Sequence, residues 1–351
     1  MTNAVQKPPF NEELLGKFGE SLKRSSMKIT FLVAENCLAS GISGLIDTFT
    51  IANLWQMELT GSREPLFTTE LVSVDGKPVV SNGCIHLIAD KSIHYTENAE
   101  YIILPPFLPV PEPNSPDMRE LKHWIVNSHG AGTPIAAICT GSFLLAETGL
   151  LNGREATTNW QFARKFNRRY PKVRLRPEKI ITEDNGLICT GAATSNFNFG
   201  LALIEKYGSR ELAGVCSKAL LIDPNRTSQA PYFMEYTENH HTDTAVAKAQ
   251  RFFETNYAQI TSIDQIAQHV CLSPRHFKRR FKKATGDSPL SYLQNIRVEL
   301  AKKKLESTLD SIDEITQQIG YENSSTFRRL FKRYTSLSPR EYRDKFARRS
   351  L

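Results

Sequence analysis

The stretch from Ile263 to Tyr342 contains one pattern written twice. Phe277-Lys278-Arg279-Arg280-Phe281-Lys282, followed by Ser288-Pro289 and Tyr292, returns as Phe327-Arg328-Arg329-Leu330-Phe331-Lys332, followed by Ser338-Pro339 and Tyr342. The offset is 50 residues at each of these positions (327 − 277, 342 − 292). Upstream, Ile263-Asp264-Gln265-Ile266-Ala267 is echoed by Ile312-Asp313-Glu314-Ile315-Thr316 at an offset of 49. Self-similarity at a fixed spacing marks a repeated supersecondary unit. Here the unit is a short helix, a tight turn and a longer basic helix.

The turn chemistry supports that assignment. Ser273-Pro274 supplies an N-cap and a proline at the first helical position, where a missing N–H costs nothing. Phe277 and Phe281 fall at i and i+4, on one buried face, and Arg275, Lys278, Arg279 and Lys282 lie largely away from it. Gly320 falls in the second copy's turn, where φ > 0 is often needed. Ser324, Ser325, Thr326 and Arg329 project from the longer helix that follows. Such a row of short hydrogen-bonders and arginines suits base edges in a major groove. One basic amphipathic helix alone would be read as a solvated surface. Two copies at matched spacing favour nucleic acid.

At these residues the sequence resembles the AraC-type family of transcriptional activators. The most specific match runs from Ile312-Asp313-Glu314-Ile315 through Gly320-Tyr321 and Phe327-Arg328-Arg329-Leu330-Phe331-Lys332 to Ser338-Pro339-Arg340-Glu341-Tyr342. The resemblance implies an all-α domain of seven helices in two helix-turn-helix units, bridged by a long helix over roughly 289–306. It implies double-stranded DNA as a partner, with Arg275, Lys278 and Arg279 in one major groove and Ser324, Ser325 and Arg329 in the next. It also implies activation through RNA polymerase.

Charge divides the chain in the same way. From Thr244 onward there are 21 Lys+Arg and 11 Asp+Glu, a net of +10. The remainder carries 44 − 21 = 23 basic and 37 − 11 = 26 acidic residues, a net of −3. Only the C-terminal part is therefore expected to meet a polyanion. A length of 351 residues suits two domains. No apolar run approaches the roughly 20 residues that span a bilayer, and Met1 to Ser26 lacks the apolar segment of a signal peptide. A cytoplasmic location without membrane contact is expected. Cys139 aside, Cys37, Cys84, Cys189, Cys216 and Cys271 read as small core residues of a reduced chain. With no Cys-x-x-Cys spacing and no tight Cys/His cluster, neither metal nor cofactor is expected.

The N-terminal part alternates strand and helix patterns. Lys28 to Ala34, Thr68 to Val74, Tyr101 to Leu104 and Pro134 to Ile138 read as strands, the first almost continuously apolar as a parallel sheet requires. Helical patterns cover 43–57, 117–128 and 142–147, with two more at 194–207 and 209–221. Short strands are expected near 179–182 and 187–190. The alternation implies an α/β doubly wound parallel sheet of flavodoxin-like type. The expected organisation is a polar tail over 1–26 with a short helix near 11–22, a sensing domain over 27–222, a linker over 223–243, and the DNA-binding domain over 244–351.

The chemistry of the first domain centres on Ile135-Ala136-Ala137-Ile138-Cys139-Thr140-Gly141-Ser142. An apolar strand ends at a cysteine, and Thr-Gly leads into a helix. That is the context of a nucleophile elbow, in which a helix N-terminus would lower the thiol pKa and favour anions. An ordinary buried cysteine at a strand end explains the same stretch equally well. Together with Leu150-Leu151-Asn152-Gly153-Arg154, Ala156-Thr157-Thr158-Asn159-Trp160 and Gly200-Leu201-Ala202-Leu203, it resembles the class I glutamine-amidotransferase-like superfamily, in the branch fused to AraC-type domains.

The resemblance implies a ligand pocket lined by Cys139, Thr140, Asn159 and Trp160. It also exposes departures. Asn159 stands where relatives carry the histidine base, and an amide is no base near neutral pH. Gly41 falls near the position of their acid. Leu104-Pro105-Pro106-Phe107 replaces glycines that donate N–H to an oxyanion, and proline has no N–H. The expectation is a homodimeric, ligand-responsive regulator that senses a small nitrogenous effector and is not an enzyme. The alternative is a thiol-dependent hydrolase or redox sensor fused to a DNA-binding domain.

Overall fold

A computed structural model describes residues 26–96, 99–113, 116–234 and 241–347. The expected polar tail and its short helix lie outside the described residues, Ser26 excepted. The chain divides into two compact units between Gln229 and Ala230.

The first unit is built on strands β1 (Met27–Leu32), β2 (Phe67–Ser73), β5 (Lys91–Ser92), β6 (Tyr101–Leu104), β7 (Ile135–Ala137), β10 (Ile181–Asp184) and β11 (Leu187–Thr190). Two short pairs lie apart from them: β3 (Val79–Val80) with β4 (His86–Leu87), and β8 (Glu155–Ala156) with β9 (Arg174–Leu175). The main sheet runs β10-β11-β7-β6-β1-β2-β5. Every pair in it is parallel except β10 with β11. That pair is a hairpin closed by Asn185 and Gly186, both at positive φ (54° and 72°), the conformation a two-residue turn of this hand needs. The expected doubly wound sheet is thus mostly parallel with one antiparallel edge.

Strands β6, β7 and β11 are buried at every position, because helices cover both faces and leave no side for alternation. Helices α1 (Ala39–Thr60), α5 (Ser195–Tyr207) and α6 (Arg210–Ala219) pack with one another. Helix α2 (Pro116–Gly130) packs with α3 (Gly141–Glu147), and α4 (Ala163–Arg169) follows. The parallel arrangement brings the C-terminal ends of β6, β7 and β11 to one edge.

The residues expected to begin a linker are folded into this unit. Asp223 O accepts from Asn198 Nδ2 at 2.8 Å, Lys179 and Ser228 form a β-bridge, and Gln229 is fully buried. A run rich in Pro, Asn and Thr reads as loop by composition. What holds it here is side-chain hydrogen bonding to distant backbone.

The second unit comprises α7 (Thr244–Asn256), α8 (Ile263–His269), α9 (Pro274–Thr285), α10 (Pro289–Ser307), α11 (Ile312–Gln318), α12 (Ser324–Thr335) and α13 (Pro339–Phe346). Among the described residues these are its seven α-helices, the number implied by the resemblance, and α10 is the long bridge. Ser273, Ser288, Ser311 and Ser338 cap α9, α10, α11 and α13, the latter two through reciprocal Ser/Glu boxes.

The repeat in sequence is a repeat in packing. Phe277 and Phe281 meet at 5.5 Å between ring centres, as do Phe327 and Phe331, and Tyr292 and Tyr342 close the two clusters. Each copy has its own core, one around Phe253, Phe277 and Phe281 and the other around Ile315, Phe327 and Phe331.

Two cysteines depart from expectation. Cys84 and Cys271 are exposed, while Cys37, Cys189 and Cys216 are buried. Both exposed residues occupy turns at positive φ (63° and 58°) outside the helices and strands that carry the core. Cys271 is the counterpart of Gly320 (φ 85°) in the second copy. No helix among the described residues is long and apolar enough to cross a membrane.

Candidate ligand site and nucleic-acid interface

Cys139 sits where β7 turns into α3, at φ 55° and 3% exposed. A non-glycine residue in the left-handed region is strained and persists only where its surroundings dictate it. The surroundings are specific. Its N–H donates to Thr190 Oγ1 at 3.3 Å, at the end of neighbouring β11. Its carbonyl lies 2.9 Å from Ser142 Oγ and 3.2 Å from Thr158 Oγ1, and those two hydroxyls are 2.8 Å apart. The elbow expected from the sequence is present.

Its chemistry is not the expected one. Burial pushes the Cys139 thiol up from its ordinary value, against hydrogen bonds from Thr140 and the Asn159 side chain that favour the thiolate. The helix N-terminus does not reverse this. Helix α3 has only seven residues, and the N–H groups of Gly141, Ser142 and Phe143 already donate to Ile138, Cys139 and Thr140 carbonyls. The thiol is therefore neutral near pH 7, the opposite of the lowered value expected at a helix start.

The segment after β6 is pressed against the elbow. Thr140 Oγ1 donates to Phe107 O at 2.7 Å and accepts from Phe107 N–H at 2.8 Å, so the hydroxyl expected to meet a ligand is committed within the protein. A Cβ at Gly141 would collide with the carbonyl oxygens of Leu104 and Pro105. The carbonyl oxygens of Leu104 and Pro105 thus lie against Gly141, and the Phe107 N–H of the same segment already donates to Thr140 Oγ1. A Cβ at Gly41 would collide with the Pro106 ring. The proline that removes a donor also fills the space where an acidic side chain at position 41 would begin.

Asn159 and Trp160 are half-buried in the stretch that follows β8. Asn159 Oδ1 accepts from Gln161 N–H at 3.0 Å, capping a one-turn 3-10 helix, while its side chain also hydrogen-bonds the Cys139 thiol. The structure thus brings the side chains of Cys139, Thr140 and Asn159 together.

Gln229 was not anticipated. Its Nε2 donates to Thr158 O at 2.8 Å, and its Oε1 accepts from Ala192 N–H at 3.1 Å. Nothing local in the sequence signals this, since its partners lie tens of residues away.

In the second unit, α9 and α12 present their polar faces to solvent. Arg275, His276, Lys278 and Arg279 are exposed on α9, and Ser325, Thr326, Arg328 and Arg329 on α12. Arg275, Arg279 and Arg329 have no acidic partner among the described residues. Lys278 lies 4.0 Å from Asp264, and Arg328 lies 3.4 Å from Asp313. Ser324 is half-buried and donates to Asp313 Oδ1 at 2.6 Å, so its hydroxyl is already engaged. Asp264 and Asp313 are counterparts in the repeat, a signal visible in the sequence whose role only the fold reveals.

A mostly parallel α/β unit with a cysteine elbow, on one chain with two helix-turn-helix units, defines an amidotransferase-like domain joined to an AraC-type one. The chain belongs to the DJ-1/PfpI family, whose model matches residues 27–206, and a helix-turn-helix domain model matches residues 266–345. It is 24% identical over 323 residues to the HTH-type transcriptional regulator GbdR of Pseudomonas aeruginosa, covering 91% of this chain and 85% of that one. It is 22% identical over 323 residues to the regulator CdhR of the same species, covering 91% and 92%. Among solved structures, an AraC family transcriptional regulator from Pseudomonas putida matches at 18% identity and TM-score 0.48, over 55% of this chain and 99% of that one.

Proposed function

We propose that this protein is a sequence-specific DNA-binding transcription regulator, an activator that responds to a small nitrogenous metabolite held by its DJ-1/PfpI domain. The observation that carries the DNA-binding half is the pair of solvent-facing helices α9 and α12, each offering arginines that no acidic side chain of the described residues neutralises. Unpaired arginines on an exposed helix face suit phosphates and guanine edges. The names of the relatives agree with a regulator. Arg275, Lys278 and Arg279 would meet one major groove, and Ser325 and Arg329 the next, ~34 Å along the duplex. Ser324 would act chiefly by fixing the start of α12 through Asp313.

Arg329→Ala is expected to weaken binding to a selected duplex by roughly 1–3 kcal/mol while leaving random DNA nearly unaffected. Fluorescence anisotropy at one fixed salt concentration measures both. Equal weakening on the two DNAs would show that Arg329 contacts phosphate only.

In the first unit Cys139, Asn159 and Trp160 would line the ligand site, at the strand ends where open α/β sheets bind small molecules. Acyl transfer at a thiol needs a base, a reactive thiolate and oxyanion donors. Here an amide stands at position 159, the thiol is held neutral, and the Leu104 and Pro105 carbonyls lie against Gly141, which supports a sensor and not an enzyme. The domain limits proposed are 27–222 for sensing and 244–351 for DNA binding, with the intervening segment anchored in part by Gln229. A cytoplasmic homodimer that contacts RNA polymerase completes the proposal.

A small amine or amino-acid derivative is expected to raise the melting temperature of the full chain, because a ligand binding only the folded state stabilises it. Cys139→Ser should retain that response. Multi-turnover ammonia release from small amides, lost in Cys139→Ser, would instead establish the hydrolase.

A further inference from the structure

The two helix-turn-helix cores are separate, and one helix runs through both. On α10, Tyr292 and Leu293 belong to the first core, and Val298, Ala301 and Leu305 to the second. Apolar packing within each core does not by itself fix one core against the other. Arg297 lies between the two sets, and at 7% exposed it is a nearly buried cation.

Its guanidinium is held on both sides. Nε and Nη2 donate to Tyr257 O at 3.0 and 2.7 Å, and Nη2 also donates to Ile260 O at 2.9 Å. Both carbonyls lie in the connection between α7 and α8, and Ile260 is part of the core that seats α9. The guanidinium also stacks on the Tyr321 ring, 4.8 Å from its centre, and Tyr321 lies in the turn that leads into α12.

Two further contacts join the halves. A Cβ at Gly320 would collide with the Ala258 backbone, so only glycine lets the second turn approach the first unit this closely. Gln294 Oε1 on α10 accepts from Arg333 Nη2 at 3.0 Å and from Tyr334 Oη at 3.2 Å, which ties the far end of α12 to the same helix.

We propose that Arg297 is the positioning residue that sets the separation between α9 and α12, and so determines which spacing of the two DNA elements the protein accepts. The proposal rests on the DNA-binding function argued above. A planar fork suits it, because only such a group can bond two carbonyls edge-on and stack its face on a ring. Lysine keeps the charge and loses that combination.

The test uses the full chain and a randomised duplex pool of about 30 base pairs, long enough for two successive major grooves. After enrichment and sequencing, wild type is expected to yield two elements at one fixed separation. Arg297→Lys should yield the same two elements spread over neighbouring separations, and bind the wild-type duplex about tenfold more weakly. It should also lose most of the wild type's discrimination against a one-base-pair insertion between the elements. Tyr321→Leu, which leaves the hydrogen bonds to the Tyr257 and Ile260 carbonyls in place, should show the same broadening to a lesser degree and decides the matter if Arg297→Lys does not fold. A fixed wild-type separation in variants that melt cooperatively would overturn the proposal and leave Arg297 a structural residue. A wild-type pool with no paired elements would overturn the two-helix DNA-reading function itself, and the proposal with it.

Discussion

Phe327→Ala is expected to destabilise the second helix-turn-helix core by about 3–5 kcal/mol, the range for removing a buried aromatic ring. Phe327 is completely buried, 5.5 Å from Phe331 and 6.0 Å from Tyr321 between ring centres. Its loss opens a cavity under α12 that the capped, short helices around it cannot close. Since the first core has its own aromatic cluster, Phe277 with Phe281 and Tyr292, it should persist. Denaturant unfolding followed by circular dichroism should then show an early helical transition absent from wild type. Specific DNA binding should collapse towards the affinity of one unit. A loss below about 1 kcal/mol would mean that the site repacks and that the ring cluster is not what holds α12.

Gly141→Ala is the second large effect. The added methyl would meet the carbonyl oxygens of Leu104 and Pro105, both backbone atoms of a segment further pinned by the Thr140–Phe107 hydrogen bonds. Backbone on both sides cannot yield as a flexible side chain would, so overpacking here is expected to cost roughly 1–3 kcal/mol or more. Thermal unfolding of the full chain measures it. An unchanged melting temperature would show that the segment after β6 moves freely, and would reopen space for a ligand or an oxyanion next to Cys139.

Much of the fold was legible in the residues. The strands Tyr101–Leu104 and Leu187–Thr190 are legible because a mostly apolar run between turn residues is what burial on both faces demands. The doubled unit of short helix, turn and longer basic helix followed from a repeat whose two phenylalanines fall one helical turn apart, and the count of seven helices from the resemblance to the AraC-type family. The candidate site was legible in part. The elbow at Cys139 was visible, because strand, cysteine, Thr-Gly and helix lie in one short stretch. Its electrostatics were not, because thiol ionisation depends on burial and on hydrogen bonds from Asn159 and Thr140 that no spacing reveals.

The sequence by itself determined two domains, a parallel α/β sheet, a doubled helix-turn-helix and the absence of a histidine at position 159. These are local or periodic properties, carried by side-chain chemistry that acts within a few residues. Tertiary structure alone decided the rest. It set Pro106 in the space a side chain at position 41 would need and turned the Leu104 and Pro105 carbonyls towards Gly141. It bound Gln229 to Thr158 and Ala192, and it placed Arg297 between Tyr257, Ile260 and Tyr321. Each of these joins groups that are distant along the chain, and the free energy of such a contact depends on a close approach and a low local dielectric that exist only once the chain has folded.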